Sequence, residues 1–165
     1  MNERKIIHIR WEGPFDFKDI KCACERYDDK YNRGLYQIYG PHRVYGHQSL
    51  LYIGKTEKDT FINRLDKEEY KYVDNNNLMR YFLGRLAGEH KKKEIQALID
   101  IAETMLIVAH QPSNNASKIK VSLDHYCNYI IYNWDNYNLL LPEVSGDRYH
   151  SKYWDKEKYP FNYIG

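Results

Sequence analysis

The N-terminal half of the chain contains short runs of β-prone residues separated by polar and turn-forming segments. Residues 5–11 form the first such run, and residues 15–31 mix charged and apolar positions in the manner of a short helix. Two further β-prone runs of similar length, residues 34–39 and 49–54, flank a polar loop that contains glycine and proline. The pattern predicts a strand and a helix followed by an antiparallel β-hairpin with a long connection.

The chain after residue 54 adds two helical patterns and a second candidate hairpin. Apolar residues recur at intervals of three and four over residues 56–69 and 92–109, which predicts two helices. Residues 79–86 fit either a strand or a helix. The β-prone stretches 126–133 and 138–141 predict another hairpin, and the polar, aromatic tail that follows shows no clear element.

The composition is that of a soluble globular domain, with an unusual number of aromatic residues. The chain has 165 residues, of which 42% are hydrophobic, 29% are charged and 15% are aromatic, including 17 tyrosines. It shows no internal repeat or low-complexity linker. We therefore expect a single domain over residues 1–165, with strands and helices combined in an α+β fold.

Charge and cysteine content narrow the cellular setting. The formal net charge of +2 excludes a polybasic tail and leaves open a locally basic face. The chain has no apolar run long enough for a signal peptide or a membrane span, so we expect a cytoplasmic protein with no membrane partner. The three cysteines do not predict a disulfide framework in a reducing compartment, and their spacing is a weak signature for zinc.

Glu103 has the most unusual environment of the charged positions. It lies in the second helical pattern, with Ile99 four residues before it and Leu106 and Ile107 three and four residues after it. A carboxylate in this setting is partly desolvated, which is unfavourable unless a cation or strong donors meet it. Two interpretations stay open on the residues alone: a boundary salt bridge, and a metal-binding or catalytic role.

Gly54-Lys55-Thr56 looks like the end of a phosphate-binding loop. Such a loop needs a glycine five residues before Gly54, and that position is Ser49. The nucleotide-binding interpretation therefore fails. Lys55 still lies between a predicted strand and a predicted helix, where a helix N-terminus attracts anions.

Two tripeptides, Gly34-Leu35-Tyr36 and Tyr52-Ile53-Gly54, resemble the strand motifs that name the GIY-YIG nuclease superfamily. The first has leucine in place of the usual isoleucine. Arg64 follows on the next predicted helix, as an arginine does in the family. It lies ten residues beyond Gly54, which is farther than is usual in the repair and homing members.

Residues farther along the chain extend this resemblance. Pro112 and Asn115 follow Glu103 by nine and twelve residues, a spacing similar to that of the bacterial excision-repair members. Lys55, directly after the second motif, also recurs in the family, and the strings around both motifs resemble a subgroup of small bacterial members. The match covers residues 34–115, about half of the chain.

The resemblance implies a fold and an activity. The fold would be α+β, with a small central antiparallel sheet made of the motif hairpin and a further strand and flanked by helices. Residues 34–115 would form the nuclease core, and residues 1–33 and 116–165 would be extensions packed on it. The implied activity is metal-dependent hydrolysis of phosphodiester bonds in double-stranded DNA.

The resemblance also implies roles for individual side chains. Glu103 would hold one Mg2+ or Mn2+ ion, because hard cations prefer carboxylate and water ligands. Tyr36 is the hypothesised general base, and since a phenol keeps its proton at neutral pH, Lys55 or the metal has to assist it. Tyr52 would orient the water or Tyr36, and Arg64 would donate hydrogen bonds to the phosphate oxygens.

Three further motif residues have structural roles in this hypothesis. Gly34 and Gly54 complete the two motifs, and Asn115 would fix the region at the end of the Glu103 helix. Without the motifs, each motif tyrosine would be interpreted as a half-buried strand aromatic with a hydrated hydroxyl group.

Basic side chains around the predicted core are candidates for contacts with the DNA backbone. The candidates are His42, Arg43, His47, Lys58, Lys118 and Lys120, and the run Lys91-Lys92-Lys93, which fits a solvated helix start equally well. The predicted hairpin around Trp134 to Tyr137 is a further element that could reach a groove and read bases.

A type II restriction-like endonuclease is the preferred subclass. The chain is too short for the additional domains of a repair nuclease or the DNA-binding tail of a homing enzyme. The alternatives are a structure-specific repair or phage-type nuclease and a catalytically inactive DNA-binding module. Because a compact site that cuts both strands of a palindrome usually needs two copies, we expect a homodimer.

Overall fold

The structure, a computed structural model, describes residues 3–28, 32–56, 59–69, 78–88 and 90–149. Its strands are β1 (Lys5–Phe15), β2 (Leu35–His42), β3 (Gly46–Lys55), β4 (Arg80–Leu86), β5 (Tyr129–Asp135) and β6 (Glu143–Ser145). Its helices are α1 (Phe17–Glu25), α2 (Phe61–Glu69) and α3 (Lys92–His110), with short 3-10 helices at Asp124–Tyr126 and Gly146–Tyr149. No helix in these ranges combines the length and the apolar character that crossing a lipid bilayer requires.

The strands in the described ranges form one mixed sheet of six strands in the order β3-β2-β4-β1-β5-β6. Neighbouring strands run antiparallel, except that β1 and β5 run parallel. Helices pack against this sheet, so the predicted α+β class with a central sheet flanked by helices is confirmed. The sheet is larger than the expected hairpin plus one strand, because the predicted extensions supply β1, β5 and β6.

Apolar clusters cover both faces of the sheet. Helix α3 packs on one face, and helices α1 and α2 pack on the other. Along β2, Leu35 and Tyr39 belong to the α3 cluster. Tyr36 and Ile38 belong to the cluster of α1 and α2, as the alternation of side chains along a strand requires. Burial on both faces makes the motif hairpin a rigid part of the core, which positions the side chains at its ends.

The motif hairpin and two elements near it differ from the sequence-based expectation. The connection of the hairpin has three residues, 43–45, instead of the long loop expected, because the paired strands extend as far as His42 and Gly46. The ambiguous residues 79–86 correspond to strand β4. Helix α2 begins at Phe61 rather than at residue 56. The Thr56 amide donates a hydrogen bond to the Gly34 carbonyl at 2.8 Å, so Thr56 prolongs the pairing of β2 with β3 instead of starting the helix.

The predicted second hairpin is present, but its second strand lies later in the chain. Residues 138–141 form no strand, because Asn138 adopts a left-handed backbone with a φ of 54°. Strand β6 begins at Glu143 and pairs antiparallel with β5. The Asn133 side chain holds the connection between the two strands by donating to the Leu141 carbonyl at 2.8 Å.

Candidate active site

The two motif tyrosines lie on one face of the β2–β3 hairpin. Tyr36 is paired with Gly54, and Ile38 is paired with Tyr52, so both tyrosines face the α1 and α2 side. Their ring centroids lie 6.0 Å apart, with the ring planes inclined by 30°. A Cβ atom at Gly54 would lie 2.4 Å from the Cζ atom and from the hydroxyl oxygen of Tyr36. Glycine at this position therefore makes room for the buried Tyr36 ring.

Gly34 joins the start of β2 to the end of β3. Its amide donates to the Thr56 hydroxyl at 2.8 Å, in addition to the bond that its carbonyl accepts from the Thr56 amide. A Cβ atom at Gly34 would lie 2.1 Å from the carbonyl oxygen of Gly84 on β4. Only glycine allows this close approach of the two backbones.

Arg64 reaches the motif face from helix α2. Phe61 and Leu65 are fully buried and anchor this helix on the hairpin, and Arg64 lies between them along the helix. The Arg64 Nε atom donates to the Tyr36 hydroxyl oxygen at 3.2 Å. Helix α2 begins at Phe61, later than expected, and Arg64 lies in its first turn, which agrees with the longer spacing between Gly54 and Arg64.

The burial of the two phenol groups differs. Tyr36 is 0% exposed, whereas Tyr52 is partly exposed. A general base has to contact the water from which it takes a proton, either directly or through one further water. The hypothesis that Tyr36 is the general base does not fit its burial, and Tyr52 is the better placed phenol.

A second polar cluster forms on the α3 face of the hairpin, directly after Gly54. The Lys55 Nζ atom lies 2.5 Å from Asp100 Oδ1 and 3.7 Å from Glu103 Oε2. The Lys118 Nζ atom lies 3.0 Å from the same Asp100 oxygen and 2.7 Å from the same Glu103 oxygen. Two ammonium groups thus balance two carboxylates, and the Glu103 side chain, 10% exposed, is a paired charge.

The hydrogen bonds in this cluster shift two pKa values. The Lys55 ammonium donates to Asp100 and holds the pKa of that carboxyl group below its ordinary value, with Lys118 acting in the same direction. Burial lowers the pKa of Lys118, but the bonds to Glu103 and Asp100 outweigh this effect and raise it. Asp100 and Lys118 are therefore charged at neutral pH.

Asn115 fixes the segment after α3 to the outer edge of the sheet. Strand β3 is an edge strand, and its Ile53 amide donates to Asn115 Oδ1 at 3.0 Å. The Asn115 Nδ2 atom donates in return to the Ile53 carbonyl at 2.9 Å. This pairing satisfies backbone groups that an edge strand would otherwise leave open, next to Gly54 and Lys55. The geometry agrees with the structural role expected for Asn115.

The candidate DNA contacts are separated in space. His42, Arg43 and His47 lie at the tip of the β2–β3 hairpin, at the end of β3 that is opposite to Lys55. Lys118 belongs to the carboxylate cluster, whereas Lys120 and Lys91 are exposed. Lys58 and the side chains of residues 92 and 93 lie outside the described part of the structure. These basic residues therefore form no single patch within the described ranges.

Asp100 is the site residue that sequence reasoning missed. It lies one helical turn before Glu103, so the two carboxylates share a face of α3. The spacing of three residues between Asp100 and Glu103 is the sequence feature that could have identified Asp100. The sequence could not show that Lys118 is the partner of Asp100. Lys118 follows α3 in the chain, and only the tertiary structure brings its side chain back to the helix.

Asp100 and Glu103 provide a donor set that suits a hard divalent cation. Mg2+ is typically held by one or two carboxylates and keeps several water ligands. No group of three or more His, Cys, Asp or Glu side chains in the described ranges could hold a metal ion. Such an ion could bind the pair only if it displaced the Lys118 ammonium from Glu103 Oε2 and used an oxygen of Asp100 other than Oδ1, which Lys55 and Lys118 already hold.

Comparison with protein-family models, with curated proteins and with solved structures gives no match to this chain. The resemblance to the GIY-YIG superfamily therefore depends on the motif residues and their spacing.

Proposed function

We propose that this protein is a divalent-metal-dependent endonuclease that hydrolyses phosphodiester bonds in double-stranded DNA, as a type II restriction-like enzyme. One observation carries the proposal. The Arg64–Tyr36 pair and the Lys55–Glu103 cluster lie on the two faces of β3 at the same end of the strand, beside Gly54. Phosphodiester hydrolysis needs a positioned cation, a group for the water and a carboxylate for a metal that all meet at one phosphate, so the proposal requires the DNA backbone to reach both groups around the end of β3.

The tyrosines and Arg64 act on the phosphate and on the water. Arg64 donates to the nonbridging oxygens, where negative charge increases in the transition state. Tyr36 is a positioning residue, because its buried hydroxyl accepts from Arg64 and limits the guanidinium to few orientations. Tyr52 orients the attacking water and takes up its proton while passing its own phenolic proton to solvent, as the new bond to phosphorus forms.

The carboxylate cluster supplies the metal site in this proposal. Asp100 and Glu103 would hold the ion, which when bound neutralises phosphate charge and facilitates departure of the 3′-oxygen. Lys55 stays close to Asp100 and, by lowering the pKa of that carboxyl group, keeps it ionised. We place the protein in the cytoplasm, where chromosomal and incoming DNA are both accessible to a bacterial restriction-like enzyme.

The test incubates the purified protein with plasmid and genomic DNA in Mg2+, in Mn2+ and in EDTA. Cleavage with metal and none with EDTA is expected. Glu103→Gln should abolish cleavage, while Glu94→Gln, an exposed position on the same helix, should leave it unchanged. Equal cleavage by wild type and Glu103→Gln contradicts the assignment of Glu103.

The products separate the subclasses of nuclease. Discrete fragments indicate a restriction-like enzyme, and selective nicking of branched or damaged DNA indicates a repair-type nuclease. Analytical ultracentrifugation should show a dimer, because a compact site needs two copies to cut both strands of a palindrome. A monomer both with and without DNA contradicts the dimer.

A DNA-binding module without hydrolytic activity is the second candidate. The observation in its favour is that lysine ammonium groups already neutralise both carboxylates that would hold a metal. This candidate predicts salt-dependent DNA binding with no cleavage in any metal, and binding that is insensitive to Glu103→Gln.

A further inference from the structure

The tip of the β2–β3 hairpin is a tight, well-defined turn. Strand β2 ends at His42 and β3 begins at Gly46, and these two residues are paired with each other. The loop therefore has three residues, 43–45. Gly46 has a φ of 96°, the left-handed geometry that closes a three-residue hairpin loop and that favours glycine. The backbone at the tip is thus constrained by its own sequence.

The imidazole ring of His42 holds the loop in place. Its Nδ1 atom accepts hydrogen bonds from the Val44 and Tyr45 amides, at 3.2 Å each. The same ring stacks on the Tyr45 ring, with centroids 4.7 Å apart and planes inclined by 22°. The loop is preorganised, so little conformational entropy would be lost if it bound a partner.

Two large apolar side chains at this tip face solvent. Val44 is 79% exposed and Tyr45 is 73% exposed, the highest values among the exposed large hydrophobic residues of the described ranges. A single exposed apolar residue needs no explanation. Two adjacent ones on a rigid loop at the end of a projecting ribbon are typical of a contact surface.

The hairpin also has a one-sided charge distribution. From residue 32 to residue 56 the chain contains no aspartate or glutamate, and the tip itself contains Arg43 with two histidines, His42 and His47. The Lys55 ammonium, at the far end of β3, is already paired with Asp100 and Glu103. A ribbon with cations and without acidic residues suits an anionic partner. Its two-stranded form suits the major groove of B-DNA, which is about 12 Å wide and admits a β-ribbon.

We propose that this tip, residues 42–47, enters the major groove of duplex DNA and reads bases. Val44 and Tyr45 contact thymine methyl groups, and Arg43 donates to guanine. This inference rests on the proposed function, and it identifies the part of the proposed nuclease that selects the DNA sequence. Nine residue-to-residue steps along β3 lead from Gly46 to Lys55, which at about 3.4 Å per step is at most about 30 Å. The bases that are read therefore lie up to roughly nine base pairs from the bond that is cut, at about 3.4 Å per base pair.

The experiment compares Tyr45→Ala and Arg43→Ala with two matched control variants, Leu139→Ala and Arg4→Ala, whose positions are exposed elsewhere. Binding to fluorescein-labelled duplexes is measured by anisotropy in EDTA, and fragment ends are sequenced after cleavage of genomic DNA in Mg2+. Circular dichroism and the Tm establish that each variant is folded. We expect the tip variants to bind about tenfold to a hundredfold more weakly and to cut at degenerate sequences, and the controls to resemble wild type.

Each outcome decides between the two proposals. Unchanged affinity and unchanged fragment ends in both tip variants overturn the groove-reading tip and leave the nuclease intact. Wild-type binding without cleavage, combined with weaker binding by Tyr45→Ala, retains the tip and overturns the nuclease. Equal affinity of wild type for single-stranded DNA or RNA overturns the major-groove assignment. A wild type that neither binds nor cuts DNA overturns both proposals.

Discussion

The Nε atom of Arg64 donates a hydrogen bond to the hydroxyl oxygen of Tyr36 at 3.2 Å. This bond links helix α2 to strand β2, and it connects the first motif to the arginine that follows the second motif. Because Tyr36 is fully buried and Tyr52 is partly exposed, our proposal assigns the positioning of Arg64 to Tyr36 and the proton transfer to Tyr52.

Paired Tyr→Phe substitutions test this division of roles. Tyr52→Phe should reduce kcat by about 10²–10⁴-fold, the usual contribution of a general base. Tyr36→Phe should reduce kcat by only about tenfold, because it loosens Arg64 without removing the base, and one such hydrogen bond contributes ~1 kcal/mol. Single-turnover cleavage assays measure both effects. A greater loss for Tyr36→Phe than for Tyr52→Phe would restore Tyr36 as the base.

Gly54→Ala should disturb the Tyr36 ring. The added methyl group meets the ring and the hydroxyl group of Tyr36 at 2.4 Å, so either the ring or the strand has to move. We expect a loss of about 1–3 kcal/mol in the free energy of unfolding, the usual cost of overpacking, together with a loss of cleavage. Urea denaturation measures the first effect. The double variant Gly54→Ala/Tyr36→Leu should recover part of the stability, and a double variant no more stable than Gly54→Ala contradicts the steric explanation.

Asn115→Ala should destabilise the edge of the sheet. It leaves the buried amide and carbonyl groups of Ile53 without their partner, which costs about 2–4 kcal/mol in the free energy of unfolding. Chemical denaturation gives the value. Asn114→Ala, at the exposed neighbouring position, is the control and should cost less than about 1 kcal/mol. Equal losses in both variants contradict the specific role of the Asn115 amide.

His110 should make the fold sensitive to acid. Its Nε2 atom accepts from the Leu141 amide at 2.8 Å and its Nδ1 atom bonds to the Leu106 carbonyl at 2.9 Å, an arrangement that requires the neutral ring. Burial lowers the pKa of His110 below its ordinary value of 6.5. The unfolded chain then binds more protons than the folded one, so stability falls as the pH decreases below about 6.5 and levels off below the folded pKa.

Unfolding free energies at pH 7 and pH 5 measure this effect. His110→Gln should show a smaller pH dependence than wild type, and the exposed His125→Gln should behave like wild type. If wild type and His110→Gln show the same pH dependence, His110 is not the cause of the loss of stability at low pH.

Lys118→Met should strengthen metal binding at the carboxylate pair. The substitution removes the ammonium group that lies 2.7 Å from Glu103 Oε2 and 3.0 Å from Asp100 Oδ1. Mn2+ affinity should rise about tenfold, since a cation in this position opposes a second cation by ~1 kcal/mol or more. Electron paramagnetic resonance of free Mn2+ gives the affinity without reference to activity. The exposed Lys120→Met is the control, and equal affinities in all three proteins would contradict the competition.

Local sequence predicted the parts of the site that follow from short-range patterns. The two β-prone runs at residues 34–39 and 49–54, with a polar turn-forming segment between them, predicted the hairpin but not the shortness of its three-residue loop. The spacing of apolar residues predicted α3 with Glu103 among buried neighbours. Helical spacing would also have placed Asp100 beside Glu103, had the two carboxylates been considered together.

The tertiary structure decided the remaining features. The insertion of β1 between β4 and β5 depends on pairings between residues far apart in the chain, and no local pattern encodes such partners. No local pattern predicts the partners of Lys118 either, because this residue follows α3 in the chain and contacts Glu103 and Asp100 only in the folded protein. The burial of Tyr36 also required the fold, because alternation assigns a side chain to a face of the sheet, whereas the helices packed on that face decide how much solvent reaches it.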